Sequence, residues 1–98
     1  MAVDKLSAKI KFEQRSIEAP YTVSNSGTFN YNIYTAINND MPSGYTFLGI
    51  TGYTTNDQNV LLMSIRYANS AYSLQGRSFY SGSITNKVNV YYLCAKLQ

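Results

Sequence analysis

Apolar and polar residues alternate with a period of two over most of this chain, the pattern of strands that bury one face. From Leu6 to Phe12 the apolar positions are Leu6, Ala8, Ile10 and Phe12, with Ser7, Lys9 and Lys11 between them. This predicts an amphipathic strand whose basic residues lie on the exposed face. The alternation ends around Glu13-Gln14-Arg15, and Ala19-Pro20 is expected to break the chain before a short extended piece at Tyr21-Thr22-Val23. Ser24-Asn25-Ser26-Gly27 reads as a turn. In residues 29–37, Phe29, Tyr31, Ile33, Thr35 and Ile37 alternate with Asn30, Asn32, Tyr34 and Ala36, which predicts a half-buried strand. Asn38 to Gly44 gathers turn-forming residues, and Pro42 and Gly44 suit the second and fourth positions of a type I turn beginning at Met41.

In the second half, residues 45–53 predict a strand in which Gly49 and Gly52 interrupt the side-chain rows, as at a bulge. Residues 54–59 form a loop. Residues 60–65 are the most apolar stretch, and their length, Tyr67 and the turn residues Asn69-Ser70 favour a strand over a buried helix. A further strand is expected over 71–80, interrupted near Gly76, followed by a polar connection through Ser81-Gly82-Ser83 and Thr85-Asn86. In the last strand, Lys87 to Ala95, Val88, Val90, Tyr92 and Cys94 share one face and Asn89, Tyr91, Leu93 and Ala95 the other. Apolar bulk on both faces predicts a central or doubly covered strand. The sum is an all-β chain of six or seven strands: a single antiparallel β-sandwich, jelly-roll-like, spanning residues 1–98, with 1–28 an N-terminal strand and connecting segment.

Composition narrows the chemistry. Only 13% of residues are charged, ten are Tyr, and there is no His, so the commonest general base and metal ligand are missing. Cys94 is the one cysteine, which excludes an internal disulfide and a thiolate metal site, and its place in the alternation makes it a small buried hydrophobe. The carboxylates Asp4, Glu13, Glu18, Asp40 and Asp57 show no paired spacing and read as solvated surface charge. A calcium site through Asn56, Asp57 and Asn59 would have a single carboxylate and be weak. No residue set emerges as catalytic, cofactor-binding or metal-binding, and no cofactor is expected. The net charge of +3 is spread out, with Lys5, Lys9, Lys11 and Arg15 the one loose cluster. A single-strand nucleic-acid surface from Lys9, Lys11, Tyr31 and Tyr34 lacks a basic stripe to support it. No apolar run reaches membrane-spanning length, so membrane insertion is not expected, and the N-terminus lacks a signal-peptide core.

The tyrosines carry the remaining signal, since a phenol joins a flat apolar face to a polar tip and suits recognition. Tyr21, Tyr31, Tyr45, Tyr67 and Tyr92 alternate with aliphatic residues and are expected in the core. Tyr34, Tyr53, Tyr72, Tyr80 and Tyr91 fall on the other face or near strand ends and are the candidate interface or ligand contacts. Low charge with abundant Tyr predicts that some of them lie between subunits.

The segment Pro42-Ser43-Gly44-Tyr45-Thr46-Phe47-Leu48-Gly49-Ile50-Thr51-Gly52-Tyr53 resembles a pattern near the C-terminal ends of bacteriophage tail and minor structural proteins. The likeness extends over residues 29–95, from the aromatic-and-Asn segment through the Gly76-Arg77 segment to the closing valine-and-tyrosine strand, and leaves residues 1–28 outside it. It implies a non-enzymatic virion protein made in the host cytoplasm, in first place a tail-fibre or baseplate tip domain that binds a host-surface glycan or protein. It also implies self-association, as a homotrimer, and contacts with other virion proteins. Two alternatives are an assembly or decoration protein that binds only capsid or tail subunits, and a small inhibitor of a host protein. No site residue is carried over, because the shared glycines and the Pro-Gly turn are architectural.

Overall fold

Two strands of 15 residues dominate the molecule: β1 (Ile10–Ser24) and β6 (Ser83–Leu97). They pair antiparallel along their whole length, from Ile10 opposite Leu97 to Ser24 opposite Ser83, without a shift of register. Such a strand extends about 50 Å, and the ribbon sets the long axis of a 60 × 27 × 20 Å molecule. The computed structural model describes residues 9–68 and 71–97. Between the long strands lie β2 (Thr28–Asn32), α1 (Ile33–Asp40), β3 (Thr46–Thr54), β4 (Val60–Ala68) and β5 (Ala71–Ser78). They form two three-stranded antiparallel sheets, β1-β6-β3 and β2-β5-β4, so the described residues make an all-β antiparallel sandwich of six strands with one short helix.

One ribbon passes through both sheets. The Asn25 N–H donates to Gly82 O (3.1 Å), the Ser26 N–H to Tyr80 O (3.0 Å) and the Ser78 N–H to Gly27 O (3.0 Å), which carries the β1–β6 ladder into the β2–β5 ladder. The turn expected at 24–27 is therefore the crease between layers, where strands switch sheets. Asn25 and Ser26 take left-handed φ values of 55° and 59° there. At Gly27 a Cβ would meet Val23 Cγ1 at 3.0 Å and Ser24 O at 3.2 Å, so the close approach of the folded ribbon favours glycine.

The core lies between the sheets. Ile17, Ala19, Tyr21 and Val23 of β1 and Val88, Val90, Tyr92 and Cys94 of β6 face Leu74 of β5 and the helix residues Ile33 and Ile37. Tyr21 stacks on Phe29 across the layers (centroids 4.3 Å, 10° between planes), and Phe47 meets the edge of Tyr72 at 5.0 Å. The sequence reading of β6 holds: the four predicted residues are fully buried and the strand is central. The strands over 45–53 and 60–67 are also present, and the register shifts between Phe47 and Gly49 and between Ile50 and Gly52 are the bulges that the glycines announced.

Several expectations are corrected. The strand over 29–37 ends at Asn32, and Ile33–Asp40 is helix. Asn32 caps it, its Oδ1 accepting from the Tyr34 N–H at 3.0 Å, and the buried Ile33 and Ile37 stand one turn apart on its inner face. The spacing that reads as period two also satisfies i, i+4. The following turn begins at Pro42, not Met41: the Tyr45 N–H donates to Pro42 O (3.2 Å), and Gly44 holds φ +84° as a type II turn requires of its third residue. Ala19-Pro20 does not break β1, because Pro20 sits on an edge strand, and β5 runs through Gly76 without interruption. Ser83, Thr85 and Asn86 belong to β6. Leu6, Ala8 and the Asn69-Ser70 turn lie outside the described residues, as does the side chain of Tyr67.

Candidate functional site

The β1-β6-β3 sheet changes the character of its two faces along its length. On β1 the odd positions from Ile17 to Val23 are buried against the second sheet, and the even positions look outward. Because the β1–β6 register is unbroken, the same parity holds at the other end of the strand. There the apolar residues are the even ones, Ile10 and Phe12, so they emerge on the outer face, while Lys11, Glu13 and Arg15 take the core-side face. On β6 the same inversion sets Ala95 and Leu97 on the outer face beside them. At the described end of the 6–12 alternation this corrects the expectation of a buried apolar side: Phe12 is 62% exposed, beside Leu97 of β6 at 70%.

Together with Thr46 and the bulged Leu48 of β3, which is 50% exposed, Ile10, Phe12, Ala95 and Leu97 line an open groove of about 480 Å³. It is an apolar surface on the outside of a sheet whose outward positions near the crease are mostly polar. Toward the crease that outer face carries hydroxyl pairs, Thr22 with Thr85 (3.0 Å) and Ser24 with Ser83 (3.4 Å), and the Lys87–Glu18 ion pair. The residues of this groove were missed as a site. The signal that could have found them is the change of parity from even apolar positions at 6–12 to odd ones at 17–23.

The acidic side chains and the thiol serve the fold. Asp57 is 7% exposed rather than solvated. Its Oδ2 accepts from the Tyr21 hydroxyl (2.8 Å) and its Oδ1 from the Asn59 N–H (2.9 Å), which pins the β3–β4 loop to β1 and gives both oxygens a structural role. Burial and this carboxylate push the Tyr21 phenol up to about 12. Asp40, at the end of α1, is likewise no surface charge: its Oδ2 accepts from Tyr92 Oη (2.6 Å) and Arg15 Nε (2.9 Å), and Arg15 also pairs with Glu13. Burial opposes the Asp40 charge, but Arg15 and the Tyr92 hydroxyl outweigh it and hold the carboxyl below its ordinary value. Cys94 is fully buried with its thiol directed at Glu13 O (3.5 Å), and burial pushes that thiol up, away from a reactive thiolate. Among the described residues no group of three or more metal-ligating side chains converges, and no helix is long and apolar enough to cross a membrane.

The candidate tyrosines are dispersed. Tyr34 on α1 stacks at 6.4 Å on Tyr72 of β5. Tyr53 and Tyr91 sit on neighbouring strands, with Tyr91 Oη 3.2 Å from Thr54 Oγ1, and Tyr80 lies in the β5–β6 connection. Tyr34, Tyr53 and Tyr80 are exposed; Tyr72 and Tyr91 are half-buried. Of the expected core tyrosines, Tyr21 and Tyr92 are buried and Tyr31 and Tyr45 pack partly against the core, Tyr45 beneath the Lys96 ammonium (5.2 Å). Lys11 and Tyr31 belong to different sheets, so the nucleic-acid surface considered from Lys9, Lys11, Tyr31 and Tyr34 has no common strand face. No protein-family model matches the sequence, and no curated protein or solved structure is significantly similar to it. The likeness to tail proteins rests on the residues at 29–95 that suggested it.

Proposed function

We propose that this chain is a non-enzymatic phage virion protein that works by contact with other proteins. The observation that carries the reading is the outward apolar groove at Ile10, Phe12, Leu48 and Leu97 on a sheet whose inner face already has its own core. Exposed apolar surface of this kind marks an interaction site in a soluble protein. The commitment of Asp40, Asp57 and Cys94 to packing and hydrogen bonds argues in the same direction. Docking on other capsid or tail subunits is the role the groove favours. Receptor contact is the second reading, favoured by the exposed Tyr34 backed by Tyr72, an aromatic side chain of the kind sugars pack on.

Purified particles of the phage that encodes the chain, probed with an antibody against it, test the reading. The expected result is a stoichiometric signal in intact particles that falls when Phe12 and Leu97 are changed to Ser. Absence from particles overturns it. Binding on a glycan array that is lost in Tyr34→Ala would place the receptor role first, and hydrolytic turnover abolished by Asp40→Asn would overturn the non-enzymatic part.

A further inference from the structure

The two sheets have four edges: β1 and β3 on one, β2 and β4 on the other. Three are blunted by the devices that keep sheet edges from pairing. β3 has two bulges, β4 has one between Leu62 and Ser64, and β2 is only five residues long. β1 is 15 residues long and has no bulge.

Its two halves differ. The Thr55 hydroxyl donates to Lys87 O (3.3 Å), so the backbone of Lys87 faces β3 and not its β1 neighbour Pro20. At the crease Asn25 bonds to Gly82, and Cys94 donates to Glu13 O. Odd residues of β1 therefore turn their backbone groups to β6, and even residues turn theirs to the open edge. Pro20 removes a donor from that edge and guards the half near the crease. Ile10, Phe12, Gln14, Ser16 and Glu18 keep theirs, and among the described residues neither another strand nor a loop backbone bonds to this stretch. The unguarded half is the one bordering the apolar groove.

We infer that Ile10–Gln14 of β1 is the contact through which two copies of this chain pair antiparallel about a two-fold axis at Phe12, joining their β1-β6-β3 sheets into one six-stranded sheet. The charge order selects the register. With Phe12 opposite Phe12, Lys11 of each copy faces Glu13 of the other, giving two cross-strand ion pairs, and Ile10 faces Gln14. An axis at Lys11 or at Glu13 sets that residue against its own kind, which is destabilising. An axis at Gln14 opposes Phe12 to Ser16 and loses the aromatic pair. Lys9 of each copy faces Arg15 of the other, whose charge is already met by Glu13 and Asp40 of its own copy. The pairing brings Ile10 and Phe12 of both copies side by side on one outer face, with Leu97 flanking them on β6, so each exposed Phe12 ring is covered by its counterpart. Like strands meeting at an edge close as a dimer, in place of the trimer implied by the tail-protein likeness. The inference goes beyond the virion reading and does not depend on it.

Sedimentation of the full chain at micromolar concentration is expected to give twice the 11.0 kDa chain mass. Phe12→Cys, oxidised, should form a covalent dimer, since directly opposed antiparallel residues lie about 5.5 Å apart, within disulfide reach. Gln14→Cys should not, because it faces Ile10, whereas Ile10→Cys combined with Gln14→Cys should. The native chain, with Cys94 buried, is the control. Gln14→Pro removes an edge donor without touching the β1–β6 ladder and should yield a monomer with an unchanged strand spectrum. Lys11→Glu gives a second route should the proline variant misfold, and should weaken the dimer about tenfold or more by reversing two contacts. A monomeric native chain, a trimer, or a dimer linked by Gln14→Cys and not by Phe12→Cys overturns the inference. Each of these leaves the presence or absence of the chain in particles to be decided separately.

Discussion

The two ends of the β1-β6-β3 sheet are built from the same pair of strands in one unbroken register, yet they solve opposite problems. Near the crease the inner face holds Ile17, Ala19, Tyr21, Val23, Val88 and Val90 beneath the second sheet, and the outer face carries hydroxyls and an ion pair. At the far end the inner face turns charged, with Arg15 tied to Asp40 and Lys96 over Tyr45, and the outer face turns apolar. A strand cannot rotate its side chains without a bulge, so a change in the parity of its apolar positions exposes one set. The crease end is therefore where the fold gets its stability, and the far end is where surface is left for a partner.

The largest expected difference comes from introducing the same charge at each end. Val90→Asp puts an unpaired carboxylate in a fully buried position of the central strand and should cost more than about 4 kcal/mol, a large part of the 5–15 kcal/mol typical of domains, leaving the chain unfolded. Leu97→Asp, on the exposed face, should change stability by about 0.5 kcal/mol or less. Circular dichroism and urea titration at low protein concentration separate the two. Comparable losses at both positions would show that the far end is also core.

A smaller contrast uses cavities. Leu74→Ala opens a void under the helix residues Ile33 and Ile37 and should cost about 2–5 kcal/mol, read from the urea midpoint. Leu48→Ala on the groove should cost far less, because its side chain is half-exposed and its removal creates no enclosed void.

The same contrast explains how far the sequence could be read. The period-two pattern located the buried face of β6, because Val88 to Cys94 keep one parity, whereas β3 and β4, which bulges shift in register, were legible from strand-forming residues bounded by turn residues. It failed at Ile33-x-x-x-Ile37, where a spacing of four serves helix and strand alike and the deciding group, the Asn32 side chain on the Tyr34 N–H, is a local bond that composition alone does not reveal. It failed at Asp40 and Asp57, whose partners Tyr92 and Tyr21 lie 52 and 36 residues away in the chain. The groove went unseen for the same reason: that Phe12 and Leu97 share an outward face follows from a pairing across nearly the whole chain.

The two Asp–Tyr pairs sharpen the comparison further, one near each end. Tyr21→Phe leaves a buried carboxylate oxygen of Asp57 without a donor and should cost about 1–3 kcal/mol. Tyr92→Phe leaves Asp40 still bonded to Arg15 Nε and should cost about 0.5–1.5 kcal/mol. Thermal denaturation at neutral pH ranks them. The reverse order would assign the stronger anchor to the helix end.

The effects of pH fall on opposite limbs. The Tyr21 phenol is raised to about 12 in the folded chain by burial and by Asp57, against about 10 for a free tyrosine. A group whose folded value is the higher one gives its full stabilisation below the unfolded value and loses it as pH rises toward the folded value. Stability should thus decline between about pH 10 and pH 12, and Tyr21→Phe should flatten that decline. The Asp40 carboxyl is shifted down, Arg15 and Tyr92 prevailing over burial, so its contribution is complete above about pH 4 and is lost as pH falls through its lower folded value. Asp40→Asn should flatten the acid limb alone. Because the Asp40 side chain is partly open to water, with 29% of its surface exposed, its pair is more screened than the enclosed Tyr21–Asp57 pair. The acid limb should accordingly be the shallower of the two in urea midpoints followed across pH. A steeper acid limb that survives Asp40→Asn would assign acid sensitivity to a carboxylate other than the one holding α1 to the sheet.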